Sequence, residues 1–258
     1  MSRAPAASRV AAIARWTTVE MLRERILYVV LLFAALLVAS SSVLTSLAPG
    51  AQRKVVVDFG LAAIDLLGVL VILLSGSTLV RREMERRSLD ILLSKPLTRL
   101  EYLLGKCLGL LATLVVLMAA MTGILILSLE AGGVGWQARY FAAILGSGLS
   151  MMVMASIAVL FSTFTSPTLA ALATLALFVA GNLSGGMLRL VHTGTGGGLL
   201  EAASLAVPSL GLFNLRGEVV HGVPVPPERF IVSVAYALAY ATTALTLAAW
   251  IFHRRDFR

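Results

Sequence analysis

Apolar residues along the chain are grouped into six long runs that are separated by shorter polar stretches. The runs cover residues 26–48, 59–80, 107–129, 141–163, 167–190 and 230–252. Each run is on the order of the 20 residues that a helix needs to cross a bilayer. Because a backbone amide inside lipid has no water to bond, each run is predicted to be helical. The pattern therefore predicts an all-α integral membrane protein with six transmembrane helices.

Positive charges are distributed unevenly between the segments that connect these runs. Fifteen of the 21 Lys and Arg residues lie in the first 25 residues, in the loop 81–106 or after residue 252. Cytoplasmic segments of membrane proteins carry an excess of Lys and Arg, so both termini are predicted to be cytoplasmic, with the chain in the plasma or inner membrane. The same bias explains the net charge of +8 without nucleic acid as a partner.

Composition narrows the class further. The chain is 59% hydrophobic and 13% charged, where soluble domains are nearer a quarter charged, so a soluble fold is excluded. Cys107 is the only cysteine, which rules out an internal disulfide. The three histidines are scattered along the chain, and we expect no metal site.

Two segments outside the runs have less distinctive patterns. Residues 1–25 mix apolar and basic positions around Trp16, which fits either an interfacial helix on the cytoplasmic side or a frayed tail. Residues 191–229 contain glycines and prolines that forbid one long helix. We expect that segment to form one or two short helices lying at the outer membrane interface.

The loop between the second and third runs contains the longest polar stretch, residues 83–106. Pro96 divides it, because the residue before a proline avoids helical angles and a proline suits the first turn of a new helix. The stretch is therefore predicted to be a helical hairpin that presents leucines and charges below the bilayer. Its apolar stripes need a cover, either the membrane surface or a partner protein, and the residues themselves favour neither.

The hairpin also carries a family pattern: acidic residues, a small residue before leucine, a proline, a basic residue and Gly-Lys. The matching residues are Glu83, Glu85, Ser88, Leu89, Pro96, Arg99, Gly105 and Lys106. With the segment "PSLGLFNLRGEVVHG" at 208–222 and the ending "IFHRRDFR", the chain resembles the type-2 family of ABC-exporter permeases over essentially its full length.

This resemblance implies a single permease domain over residues 1–258, paired with an identical or different second permease subunit. It further implies that residues 83–106 dock onto a separate ATPase subunit, present in two copies. The residues expected to couple to the ATPase are Glu83, Glu85, Ser88, Leu89, Leu92, Pro96, Arg99, Gly105 and Lys106. The chain lacks the phosphate-binding pattern G-x-x-x-x-G-K-[ST]. We therefore expect a non-catalytic subunit without cofactors, with ATP and Mg held by the partner.

Two pairs of residues in or next to the predicted spans are candidates for the pathway or for subunit packing. A carboxylate inside the apolar layer costs about 2.5–3.5 kcal/mol, so Asp65 requires compensation. Asp58 lies two helical turns earlier on nearly the same face, which fits a hydrophilic stripe along a substrate path or interface, or a structural hydrogen bond. Gly181 and Gly185 have a spacing that lets helices approach closely, and they equally fit a point where the helix unwinds.

The function expected from these features is ATP-driven transport of a hydrophobic or lipid-like substrate across the membrane. Membrane lipids are expected to contact the protein directly. A non-transporting membrane component of an ATPase-driven assembly or motility machine would have the same sequence features. A secondary transporter is a further alternative, although such proteins usually have inverted repeats and several buried ionisable residues, and only one clear buried carboxylate is found here.

Overall fold

The computed structural model describes residues 6–23, 27–47, 52–77, 79, 99–133, 135–192 and 207–254. These residues are predominantly helical, and none of them forms a strand. A π-helical turn, Ile72–Gly76, extends α3, and a 3-10 turn, Leu210–Leu212, precedes α7. The α-helices are α1 (Ala6–Met21), α2 (Leu27–Leu47), α3 (Gln52–Val71), α4 (Arg99–Ala131), α5 (Tyr140–Phe164), α6 (Pro167–His192), α7 (Arg216–His221) and α8 (Pro227–Arg254). The prediction of an all-α protein is confirmed.

Several of these helices have the length and composition of membrane spans. Within the described ranges, four stretches are long and apolar enough to cross a bilayer: Lys54–Gly76, Glu101–Ala131, Tyr140–Phe164 and Pro227–Ile251. The apolar stretches Tyr28–Ala39 of α2 and Pro167–Leu183 of α6 are shorter. Large apolar side chains point outward from these helices, among them Leu66, Val115 and Ile231, each more than half exposed. Such a surface is suited to lipid rather than to water.

Helices α3 and α4 run antiparallel and define the two ends of the molecule. Gly60 of α3 lies against Leu125 of α4, whereas Gly76 lies against Leu110. The start of α4 and the end of α3 are therefore at the same end, where α1 also packs, and we call it the α1 end. The opposite end holds Asp58 and helix α7, and we call it the α7 end.

The bundle core is apolar and draws on most of the long helices. Phe33 of α2, Ile64 of α3, Leu117 of α4 and Val153 of α5 are fully buried. The methionines that follow Ser150 in α5 contribute to this core, with Met151 packed against α3 at Gly68. This packing holds α3 and α5 side by side, and it is between these two helices that a polar cavity lies at the α7 end.

Helix α4 is longer than the span that the sequence pattern predicts at this position. The apolar run begins at residue 107, but α4 begins at Arg99 and continues to Ala131 without a break. The polar residues Glu101 and Lys106 lie within it, and both are largely buried. Their side chains are covered by other parts of the protein, so the helix does not have to end where its sequence becomes polar.

Candidate functional sites at the two ends of the bundle

Helix α1 packs along the first turns of α4 at a pair of glycines. A Cβ atom placed on Gly105 would lie 2.7 Å from Cβ of Ile13, and one on Gly109 would lie 2.6 Å from Cβ of Thr17. No side chain larger than hydrogen fits at such distances, so the glycines allow the two backbones to approach closely. Residues Ala6–Met21 thus form a docked helix, and the alternative of a frayed tail is wrong for this stretch.

Polar contacts join the same two helices. The guanidinium of Arg9 donates a hydrogen bond to the Glu101 carboxylate at 2.9 Å, and both side chains are largely buried. The hydroxyl of Thr18 donates to the backbone oxygen of Gly109 at 3.1 Å. Because a charge pair shielded from water is screened less by salt, the Arg9–Glu101 contact should keep its strength at high ionic strength. We call this helix pair the α1–α4 clamp.

The structure describes three of the nine predicted ATPase-coupling residues. Gly105 and Lys106 lie in α4, and both are buried. The ammonium of Lys106 is 5.9 Å from the ring centroid of Tyr102, and Gly105 faces α1. Arg99 is the first residue of α4. The remaining six residues lie outside the described residues: Glu83, Glu85, Ser88, Leu89, Leu92 and Pro96.

The contact of Gly105 with α1 was not predicted from the sequence. A signal was present, because Gly105 and Gly109 are four residues apart, the spacing by which small residues let helices pack closely. The family resemblance drew attention to the Gly105-Lys106 pair instead. In the structure these residues contribute to packing within the chain.

At the α7 end, residues 207–222 form a compact segment that we call the cap. Leu210, Phe213 and Leu215 of the cap are each at most 2% exposed. The short helices expected within residues 191–229 are found in the cap as the 3-10 turn and α7, and the apolar side chains of the cap are inserted into the helix bundle. Burying them removes a large apolar surface from contact with water.

Two glycines in the long helices make room for the cap. The backbone oxygen of Phe213 contacts Gly146 of α5, and a Cβ on Gly181 of α6 would lie 2.6 Å from the backbone oxygen of Pro208. Helix α6 continues through Gly181 and Gly185 to His192, so the interpretation of this stretch as an unwound segment is wrong. Gly181 allows the cap to approach α6 closely, and the interpretation of Gly181 and Gly185 as a helix-packing pair stays a prediction.

Helix α8 also holds the cap. The backbone N–H of Ser209 donates to the Tyr236 hydroxyl at 3.0 Å, and the Ser233 hydroxyl lies 3.3 Å from the backbone oxygen of Leu212. Glu218 of the cap forms an ion pair with Arg229 at the start of α8. These contacts give the cap polar partners as well as apolar ones.

The two candidate carboxylates of α3 face the cap. Asp58 Oδ1 is 2.8 Å from Nε of Arg216, with both side chains partly exposed. The hydroxyl of Ser147 is the hydrogen-bonding neighbour of the Asp65 carboxylate, on which the charge of Arg216 also acts. Within the part of the chain that the structure describes, no Lys or Arg forms an ion pair with Asp65. The prediction that both carboxylates share one face of a helix agrees with this arrangement.

Asp65 lines a cavity of about 340 Å³ between α3, α5, α6 and the cap. Its polar lining residues are Asp65, Ser147, Ser150, Asn182, Asn214 and Arg216. Of these residues, only Asp65 was singled out as a candidate from the sequence. Among the described residues, no three His, Cys, Asp or Glu side chains are grouped so as to hold a metal ion.

A second cavity, of about 570 Å³, lies between α5, α6 and α8. It is mainly apolar, with the rings of Tyr236 and Tyr240 on its α8 side. Leu247 at one end of it is about half exposed, so the groove reaches the outer surface of the bundle.

A bundle of long apolar helices with a lipid-suited surface and a polar cavity defines a multi-pass helical membrane protein. Comparison with protein families identifies it further: the model for the ABC-2 family transporter protein matches residues 50–257. The chain therefore belongs to the ABC-2 transporter family, and the resemblance recognised in the sequence is confirmed. The match covers α3 to α8 and begins after α2. A search of curated proteins finds no match to the chain.

Proposed function

We propose that the chain is the permease subunit of an ABC exporter that moves a hydrophobic or lipid-like substrate across the cell membrane. It would pair with a second permease subunit and with two copies of a separate ATPase that binds ATP and Mg. The observation that carries the proposal is the family match over residues 50–257, which covers most of the chain.

A topology of six spans with cytoplasmic termini is part of the proposal. Helix α2 has 21 residues and α6 has 26, which is sufficient for each to cross a bilayer in addition to the four apolar stretches described above. The α1 end would then face the cytoplasm, where the excess of positive charge lies. The α7 end would face outward.

The α1–α4 clamp supports a mechanism for the coupling step. Helix α4 begins at Arg99, immediately after the proline-containing part of the predicted coupling segment, and α1 is packed on its first turns. Because close-packed side chains transmit displacement rather than absorb it, a push on residues 83–98 would move α1 and the start of α4 as one body. The chain would thus receive force from ATP hydrolysis without binding ATP.

The apolar groove between α5, α6 and α8 supports the proposed class of substrate. Its volume of about 570 Å³ is within the range of small-molecule sites, and its walls are apolar. A hydrophobic molecule or a lipid chain could enter it from the bilayer without crossing water.

The proposal is tested by purifying the tagged chain from its native membrane and measuring ATP hydrolysis in the complex. Leu89→Asp combined with Leu92→Asp should release the ATPase, because charge replaces the apolar surface of the coupling segment. Val223→Asp, at an exposed cap-end position, is the control and should leave the complex intact. ATP hydrolysis by the isolated chain, or an ATPase retained by the double variant, would contradict the proposal.

A further inference from the structure

We propose that the cavity at Asp65 binds the positively charged amine headgroup of an amphiphilic molecule, whose apolar tail remains outside in the bilayer. As an assignment of the cargo class, this inference rests on the proposed transport function. The binding site itself is argued from the residues around the cavity.

The sign of the ligand charge follows from the charged side chains at the cavity. Asp65 and Arg216 are the charged residues of its lining, and the Nε of Arg216 is engaged with Asp58 at 2.8 Å. Asp65 has the Ser147 hydroxyl as its neighbour and no ion-pair partner among the described residues. A carboxylate within an apolar layer needs a compensating group, and a cationic ligand supplies one directly.

The shape and lining of the cavity define the remainder of the ligand. A volume of about 340 Å³ accommodates a headgroup but not a whole lipid. The aromatic rings of Phe178 and Phe213 are among its walls, and ring faces attract ammonium groups. Leu66 contributes to the lining while being 64% exposed, so the cavity has an apolar rim on the surface of the bundle. An attached alkyl chain can leave along that rim.

The test measures binding of decylammonium chloride to the purified full chain in maltoside micelles, without ATPase or nucleotide. A ligand that binds the folded state raises the thermal unfolding temperature with increasing concentration. We expect decylammonium to stabilise the wild-type protein, whereas decyl sulfate and decanol should not. Decyl sulfate carries the opposite charge and decanol carries none, so the three probes differ only in their headgroups.

Variants assign the effect to the cavity. Asp65→Asn keeps the size of the side chain and removes its charge, and it should raise the half-saturating concentration of decylammonium about tenfold. Asp65→Glu, which retains the charge, should still respond. Glu228→Gln is a matched control, because it removes an exposed carboxylate at the same end of the molecule but outside the cavity.

Two results would overturn the inference: an equal response of Asp65→Asn and the wild type, or equal stabilisation by decyl sulfate or decanol. The inference and the proposed function fail separately. A chain that binds decylammonium but has no ATPase partner would disprove the transport role alone. A functioning ATPase complex whose permease ignores decylammonium would disprove the headgroup site alone.

Discussion

The two ends of this bundle are built in opposite ways. At the α1 end, helix packs on helix through Gly105 and Gly109, and one largely buried ion pair joins them. At the α7 end, an irregular cap is inserted between helices over a polar cavity, and the ion pair that links it to α3 is partly exposed. The α1 end is thus closed by direct contact between helices, whereas the α7 end encloses a cavity.

This difference fits a transporter in which one end receives force and the other end binds the ligand. A region that receives force must be stiff, and close contact between two helix backbones makes it so. A region that binds and releases a ligand needs a cavity and a covering segment whose contacts can be broken at moderate cost. A change at the α1 end should therefore cost more stability than the equivalent change at the α7 end, both for glycine substitutions and for ion pairs.

The largest effect is expected from Gly109→Leu. The new side chain would overlap Thr17 and the backbone oxygen of Ala14, which lies 2.8 Å from a Cβ at this position. We expect α1 to separate from α4, with a loss of at least about 3 kcal/mol in the free energy of unfolding. Gly123→Leu is the control in the same helix, since a Cβ there meets no atom within 4 Å. Thermal unfolding in detergent compares them, and equal stability of both variants would exclude the clamp.

A smaller loss is expected from Gly146→Val at the α7 end. The added side chain meets the backbone oxygen of Phe213 and should displace the cap, at about 2 kcal/mol. Trypsin should then cleave more rapidly after Arg216. Gly148→Val is the matched control, because the nearest atom to its Cβ belongs to the flexible Met118 side chain, at 3.6 Å. Unchanged cleavage of the Gly146 variant would show that the cap is not held at this point.

The buried ion pair of the clamp should have an intermediate effect. Glu101→Gln weakens the contact with Arg9, and we expect a loss of about 1–2 kcal/mol, between the values for exposed and for fully buried pairs. A double-mutant cycle with Arg9→Met separates this contact from other effects. Glu20→Gln, on the exposed side of α1, should be neutral. A coupling energy near zero would mean that α1 is positioned by packing alone.

The exposed ion pair of the cap should have the smallest effect. A cycle of Asp58→Asn and Arg216→Gln is expected to give a coupling energy below about 1 kcal/mol, because both side chains are partly exposed to solvent. The value should fall as salt is added, since exposed charges are screened. Unfolding measured at low and high salt tests this. A coupling larger than that of Arg9 with Glu101 would reverse the proposed contrast between the two ends.

Most long helices could be predicted from the sequence, because lipid imposes one requirement on every span: about 20 apolar residues in a helix. The same reasoning failed at Arg99 and Glu101. The apolar run placed the start of the third span at residue 107, whereas the helix already begins at Arg99 and contact with α1 covers Glu101. A local pattern does not show which other segment will cover a polar side chain.

The candidate sites were predictable to a similar extent. Asp65 stood out because a carboxylate is expensive inside an apolar run, and Asp58 because it lies two helical turns earlier on nearly the same face. Their neighbours Ser147 and Arg216 did not, because a serine within a span and an arginine in a loop are ordinary residues until the fold brings them to α3. Burial of the cap could not be predicted either, because it requires Gly146 of α5 and Gly181 of α6, which are distant from the cap in the sequence.

The central claim is that the α1 end faces the cytoplasmic ATPase and the α7 end faces outward. Single cysteines at Asp90, in the predicted coupling segment, and at Val223, beside the cap, test it in a Cys107→Ser background. The account predicts that a membrane-impermeant maleimide labels position 223 in intact cells and position 90 only after the membrane is opened. Labelling of position 90 in intact cells, or of both positions from the same side, would contradict it.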